Sequence, residues 1–164
     1  MRLQRSGGLS VVAITLIATF LPFPADASEL EEQLRAEYLD KILILRQFYE
    51  GAKLRFDANG RIEGDATTGP WTVDGQITIR EIHLDDRLLK LKGRRVRLIF
   101  DPNTNHLKDV VGMAAKDPLR KSFFHVSGKR WREFEQSADL EVDLELPSPP
   151  KDKQEVAAAM DAVF

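Results

Sequence analysis

Ile77-Thr78-Ile79-Arg80-Glu81-Ile82-His83-Leu84-Asp85-Asp86-Arg87-Leu88-Leu89-Lys90-Leu91 is the stretch that decides the fold. Ile77 and Ile79 share one parity, Ile82 and Leu84 take the other, and Leu89 and Leu91 resume the alternation past an acidic turn signal. Alternation of apolar and polar residues marks a strand with one buried face. A two-residue turn at Asp85-Asp86 sets Glu81 opposite Lys90 and Ile82 opposite Leu89, charge against charge and apolar against apolar. The parity switch at Arg80-Glu81 reads as a β-bulge, and so does a second near Gly93, ahead of Val96, Leu98 and Phe100. One extra residue flips the faces and bends the strand, so two bends in one hairpin predict a curled sheet.

Towards the N-terminus, Trp71 and Val73 share the parity of Ile77 and extend this strand, with Asp74-Gly75 as an alternative hairpin turn. Gly64 to Pro70 is turn-rich. Leu54, Phe56 and Ile62 flank a loop at residues 58–60, with Gly60 in the left-handed region, which pairs Asp57 with Arg61 and Phe56 with Ile62. Ile42 to Leu45 reads as a buried strand running towards Tyr49. Ser28-Glu29-Leu30-Glu31 has the capping-box form, and Leu30, Leu34 and Tyr38 at i, i+4 spacing predict a helix over 29–39.

Towards the C-terminus, Asp101-Pro102-Asn103-Thr104-Asn105 is a turn and Leu107 to Met113 a strand. Ser122 to Val126 and Lys129 to Phe134 are read as the arms of a further hairpin. Leu140, Val142, Leu144 and Leu146 alternate with Glu141, Asp143 and Glu145, which predicts one buried face and one solvated acidic row. Pro147 to Lys151 is an extended linker, and residues 154–164 form a short helix with Val156, Met160 and Val163 on one stripe. The predicted fold is mainly β: a single antiparallel curled sheet or half-barrel of about six to eight strands, with a short helix at each end.

The chain has 164 residues, 24 basic against 26 acidic, and no cysteine. Near-neutral charge argues against nucleic acid as a partner. Without cysteine there is no disulfide, thiolate or acylated-cysteine chemistry. Arg2 and Arg5 precede an apolar run from Leu9 to Phe23, and Ala25-Asp26-Ala27 offers a small-x-small site. That grammar predicts a cleavable signal peptide over 1–27, cut between Ala27 and Ser28, and a periplasmic or secreted product. The run is short of the roughly 20 residues of a membrane-spanning helix, so no transmembrane segment is expected in the mature chain. The organisation is then a β domain over 28–146, a Pro-rich linker over 147–153 and the C-terminal helix.

No pattern declares a chemistry. His83, His106 and His125 lack ligand spacing, and His83, opposite in parity to Ile82 and Leu84, is expected to face solvent. Asp101-x-Asn103-x-Asn105 begins like a calcium loop, but His106 stands where glycine is needed and Gly112 where a bidentate glutamate is needed. There is no G-x-S-x-G elbow and no glycine-rich phosphate loop. The expectation is no catalytic residue, no metal and no cofactor.

Basic residues do cluster. Lys90, Lys92, Arg94, Arg95 and Arg97, joined by Lys121, Arg130 and Trp131, form a candidate patch for an anionic ligand. The competing reading neutralises these cations against the acidic residues of 133–145 across neighbouring strands.

Three runs carry a family likeness: Leu45-Arg46-Gln47-Phe48-Tyr49-Glu50-Gly51, Leu54-Arg55-Phe56-Asp57 and Gly69-Pro70-Trp71-Thr72-Val73-Asp74-Gly75. With Gly93-Arg94-Arg95, Ile99-Phe100-Asp101 and the acidic strand ending at Pro147, the chain resembles the N-terminal extracytoplasmic region of acidobacterial TonB-type energy-transducer proteins over 28–164. The resemblance implies a periplasmic β-rich module and an envelope or TonB-system partner. No stretch matches the TonB C-terminal domain, so energy transduction is not carried over. The expected function is a non-enzymatic periplasmic binding or adaptor module; the alternatives are a carrier barrel for a lipid or other apolar ligand, and an enzyme on envelope polysaccharide.

Overall fold

The computed structural model describes residues 27–111, 113, 116–127 and 138–164. Residues 1–26 of the expected export segment, the second arm at 129–134, Arg130 and Trp131 lie outside the described residues. Ala27, just before the expected cleavage point, opens helix α1 (Ala27–Tyr38). Strand β1 (Ile42–Ile44), β2 (Lys53–Phe56), a helical turn α2 (Trp71–Asp74), β3 (Gln76–Asp85) and β4 (Leu88–Arg95) follow. Then come β5 (Leu98–Asp101), β6 (His106–Asp109), α3 (Pro118–Ser127), β7 (Asp139–Glu145) and α4 (Lys153–Val163).

The architecture is mixed α/β. Five strands form one sheet in the order β1-β3-β4-β7-β2, and β5 and β6 make a separate two-stranded sheet. This corrects the single antiparallel sheet in two respects: β5 and β6 stand apart from the main sheet, and one pair of strands is parallel. β2 runs parallel to β7, with Leu54 opposite Val142 and Phe56 opposite Leu144. The five-stranded sheet is open, with β1 and β2 at its margins. Period-two alternation specifies faces but not strand direction, which is why the parallel pair was invisible in the pattern.

One face of the five-stranded sheet is covered by α1 and α4. Leu30, Leu34, Val156, Met160 and Val163 are buried in one cluster with Ile77, Ile79, Ile82, Leu89, Leu91, Val142 and Leu144. Burying each such side chain contributes about 1.5–3 kcal/mol, so the two amphipathic stripes suffice to seat the helices. Asp152 caps α4 by accepting from the amides of Gln154 and Glu155.

The bulge at Arg80 is real: the β3–β4 register shifts between Ile79 and Glu81. The turn lies one residue further on than expected, with Asp85 opposite Leu88 and Asp86 in the left-handed region at φ 47°. Glu81 therefore faces Lys92, and Ile82 faces Leu91. A two-residue register change keeps every side chain on its face, so the parity argument could not detect it. No register shift accompanies Gly93, which sits opposite Ile79 and Leu140. A Cβ there would lie 2.2 Å from the Thr78 carbonyl oxygen, so glycine serves close strand contact, and the parity change beyond it marks the exit to β5.

Further expectations change at their ends. Asp57 and Arg61 pair as expected, with Phe56 bridging Ile62 and Gly60 at φ 73°. Trp71 to Asp74 is a helical turn and not strand, because the Pro70 carbonyl accepts from Val73 and Asp74 and the Trp71 carbonyl from Gly75. That excludes the Asp74-Gly75 hairpin. Ile42 and Ile44 are 54% and 52% exposed, so β1 is an edge and not a buried strand. Ser122 to Ser127 is helical, within α3, where the Asp117 side chain accepts from the Leu119 amide. An Asp-Pro start of this kind is a helix signal that the hairpin reading passed over. Asp143 is 3% exposed and thus no part of a solvated row.

The expected box at Ser28 is not the role of Glu31. Its Oε2 accepts from the Leu84 amide at 2.8 Å, and its Oε1 pairs with Arg35 at 2.8 Å. Arg35 in turn donates through Nε to the Ile82 carbonyl. The helix thereby supplies the hydrogen bonds that a further strand would have made along this half of β3.

Candidate functional site

The face of the sheet opposite α1 and α4 gathers the charges, because residues between the core positions of each strand must point there. Across β2, β7, β4 and β3, one row reads Lys53, Glu141, Lys92, Glu81. The next reads Arg55, Asp143, Lys90, His83, and at the other end Asp139 stands opposite Arg94, which stands opposite Thr78. In the first row the signs alternate strand by strand. The side chains of Lys53, Lys92 and Glu81 are 51%, 54% and 68% exposed on this face.

The ion pairs follow the rows. Lys53 Nζ lies 2.6 Å from Glu141 Oε1 and 2.8 Å from Asp143 Oδ2, and Lys92 Nζ lies 3.3 Å from Glu81 Oε2. Arg55 Nε stands 3.8 Å from Asp143, and Arg80 Nη1 pairs with Asp40 at 2.8 Å. The hydrogen bond from Lys53 holds the Glu141 carboxyl below its ordinary range. Bonds to Asp143 and then Glu141 raise the Lys53 ammonium. Burial pushes the Glu31 carboxyl up, but the Leu84 amide, Arg35 and His83 outweigh it and leave it lowered.

Two shallow grooves run over the rows and share Glu81, Lys92 and Glu141. One, of about 440 Å³, adds Arg80, Arg94 and Asp139; the other, of about 470 Å³, adds Arg35, His83 and Lys90.

The candidate basic patch therefore divides. Lys90, Lys92 and Arg94 come together on the open face, interleaved with carboxylates as the cross-strand reading expects. Arg95 and Arg97 do not belong there, being 1% and 5% exposed. Lys121 is exposed on α3, away from β4 in sequence and element.

Arg95 is a tie inside the protein. Its guanidinium donates to the carbonyls of Asp74, Tyr49 and Gly51, each at 2.8 Å, and lies 3.2 Å from Asp74 Oδ1. Burial lowers its pKa while Asp74 and Glu50 oppose the shift. Parity predicts the inward direction, since Leu89, Leu91, Gly93 and Arg95 form one series, but the clustering of cations obscured it. A recess of about 320 Å³ beside Arg95 and Arg97 also carries Asp74 and Glu50, so its formal charges balance.

The remaining candidates have structural partners. Asp101 accepts from the Asn103 amide and the Thr104 hydroxyl and pairs with Lys108 at 2.5 Å; the Lys108 bond is the main reason its pKa falls to about 2. The Asx turn uses the oxygens that a calcium loop would have offered. His83 is exposed as expected, with Nδ1 3.0 Å from Glu31 Oε2, and His106 is also exposed. Among the described residues no group of three metal-ligating side chains converges. No helix there is long and apolar enough to cross a membrane. Comparison with protein-family models, with curated proteins and with solved structures finds no match to this chain.

Proposed function

We propose that this chain is an exported, non-catalytic binding module that meets a protein partner through the charged open face of its five-stranded sheet. The observation supporting it is the row Lys53-Glu141-Lys92-Glu81, whose signs alternate across four strands, on the face opposite the one buried under α1 and α4. Opposite charges in fixed alternation set register and reject surfaces with like charges in apposition. Export rests on the signal grammar of 1–27, and the likeness to TonB-type transducer regions makes an envelope protein the partner class.

The carrier alternative needed a closed or half-closed barrel; here the sheet is open and its apolar side is filled by α1 and α4. The polysaccharide-enzyme alternative placed the acidic row or His125 in a cleft, and in that row Lys53 bridges Glu141 and Asp143.

Site-specific photocrosslinking in envelope extract tests the proposal. A crosslinker at Lys92 is expected to trap a defined protein, less so as salt rises, whereas one at exposed Glu32 on α1 traps none. Equal labelling at both positions, or none at Lys92, overturns it.

A further inference from the structure

The margins of the five-stranded sheet are not treated alike. Along the second half of β3, Glu31 and Arg35 bond the Leu84 amide and the Ile82 carbonyl. Along β2, the Glu63 amide donates to the Arg55 carbonyl and Phe56 bridges Ile62. At β1, the Lys41 carbonyl accepts from Ile79 and the Leu45 amide donates to Gly75. Residues of that parity face β3, so the amides and carbonyls of Ile42 and Ile44 point away from the sheet. Their side chains are 54% and 52% exposed, on the same open face as Thr78. A hydrophobic edge with outward backbone groups is a template for another strand.

We infer that the β1 edge pairs with β1 of a second copy of this chain, in antiparallel register about a two-fold axis at Leu43. This register places Ile42 opposite the partner's Ile44 and Ile44 opposite the partner's Ile42, and each pair exchanges both of its backbone hydrogen bonds. Neighbouring registers lose bonds. Centring on Ile42 sets Asp40 opposite Ile44, but the Asp40 amide is already held by the Ile79 carbonyl. Centring on Ile44 sets Arg46 opposite Ile42, but the Arg46 amide is held by Val163. Only the Leu43-centred pairing uses outward groups alone. It also brings four exposed isoleucines onto one face. The axis is perpendicular to the sheet, so the charged faces of both copies become one surface of ten strands.

Three residues from each chain cover less than the roughly 1,000 Å² of a stable interface, so the association is weak and concentration-dependent. Sedimentation equilibrium of the chain from residue 28 onwards is expected to move from one chain mass at low micromolar concentration towards two near millimolar. Ile44→Lys puts a charge on an edge that is exposed in the monomer, and it should weaken association about tenfold or more while circular dichroism and the melting temperature stay unchanged. Amide exchange at residues 42 and 44 should slow as concentration rises. A single-chain mass at the highest concentration overturns the pairing, as does Ile44→Lys that associates as tightly as the parent, or a dimer whose 42 and 44 amides exchange unchanged. A trapped partner at Lys92 with no self-association would leave the adaptor reading standing and this inference refuted.

Discussion

Lys92 and Arg95 stand three residues apart on one strand and live on opposite sides of it. Lys92 points to solvent, its side chain 54% exposed, 3.3 Å from a Glu81 that is 68% exposed. Arg95 points inward at 1% exposure and ties the Asp74 turn and the 49–51 segment to the sheet through three carbonyls and one carboxylate. A cation in water gains little from a partner, because solvent screens the attraction and ordering two long side chains opposes it. A buried cation has no such substitute, so its partners are indispensable once it is inside. The side of the sheet, and not the residue type, decides whether a charge builds a surface or holds a fold.

Removing the inner cation breaks this comparison hardest. Arg95→Ala removes the bonds to the Asp74 carboxylate and to three carbonyls, and it should cost about 3–5 kcal/mol in urea unfolding, a large share of the stability of a domain of this size. Gly93→Ala comes next. Its Cβ would meet the Thr78 carbonyl oxygen at 2.2 Å and Ile77 Cγ1 at 2.7 Å, both on β3, so the strands must part. The cost expected is about 1–3 kcal/mol, visible as a lowered urea midpoint with the slope kept. Lys92→Ala should be the mildest, within about 1 kcal/mol and smaller still in high salt. Equal destabilisation by Lys92→Ala and Arg95→Ala in the same denaturant series would refute the distinction between the two sides.

Sequence and structure agree wherever a local rule was also the deciding force. The Asp57–Arg61 turn with Gly60 is settled by backbone freedom at one residue, and the bulge at Arg80 by parity on either side of it. The helices at both ends followed from apolar stripes whose buried residues are the expected ones. Agreement ended where a residue's partner lies far along the chain. Glu31 fitted a capping box three residues from Ser28, yet its carboxylate serves Leu84, fifty-three residues away. Trp71 to Asp74 carried strand parity, yet the Pro70 carbonyl and Arg95 hold it as a helical turn. In the candidate patch, parity alone separates Lys90, Lys92 and Arg94 from Arg95, whereas their shared charge invites grouping them.

The sequence by itself determined the alternation of faces along β3, β4 and β7, the tight turn at 57–61 and that two amphipathic helices need a sheet to cover. These are properties of residues within reach of one another, fixed by period, by φ freedom and by side-chain polarity. Only the tertiary structure decided that β2 runs parallel to β7, that β5 and β6 leave the main sheet, and that Lys53, Glu141, Lys92 and Glu81 form one row. Strand order and direction arise from how distant segments share one core, and alternation scores equally well in every arrangement that keeps the faces.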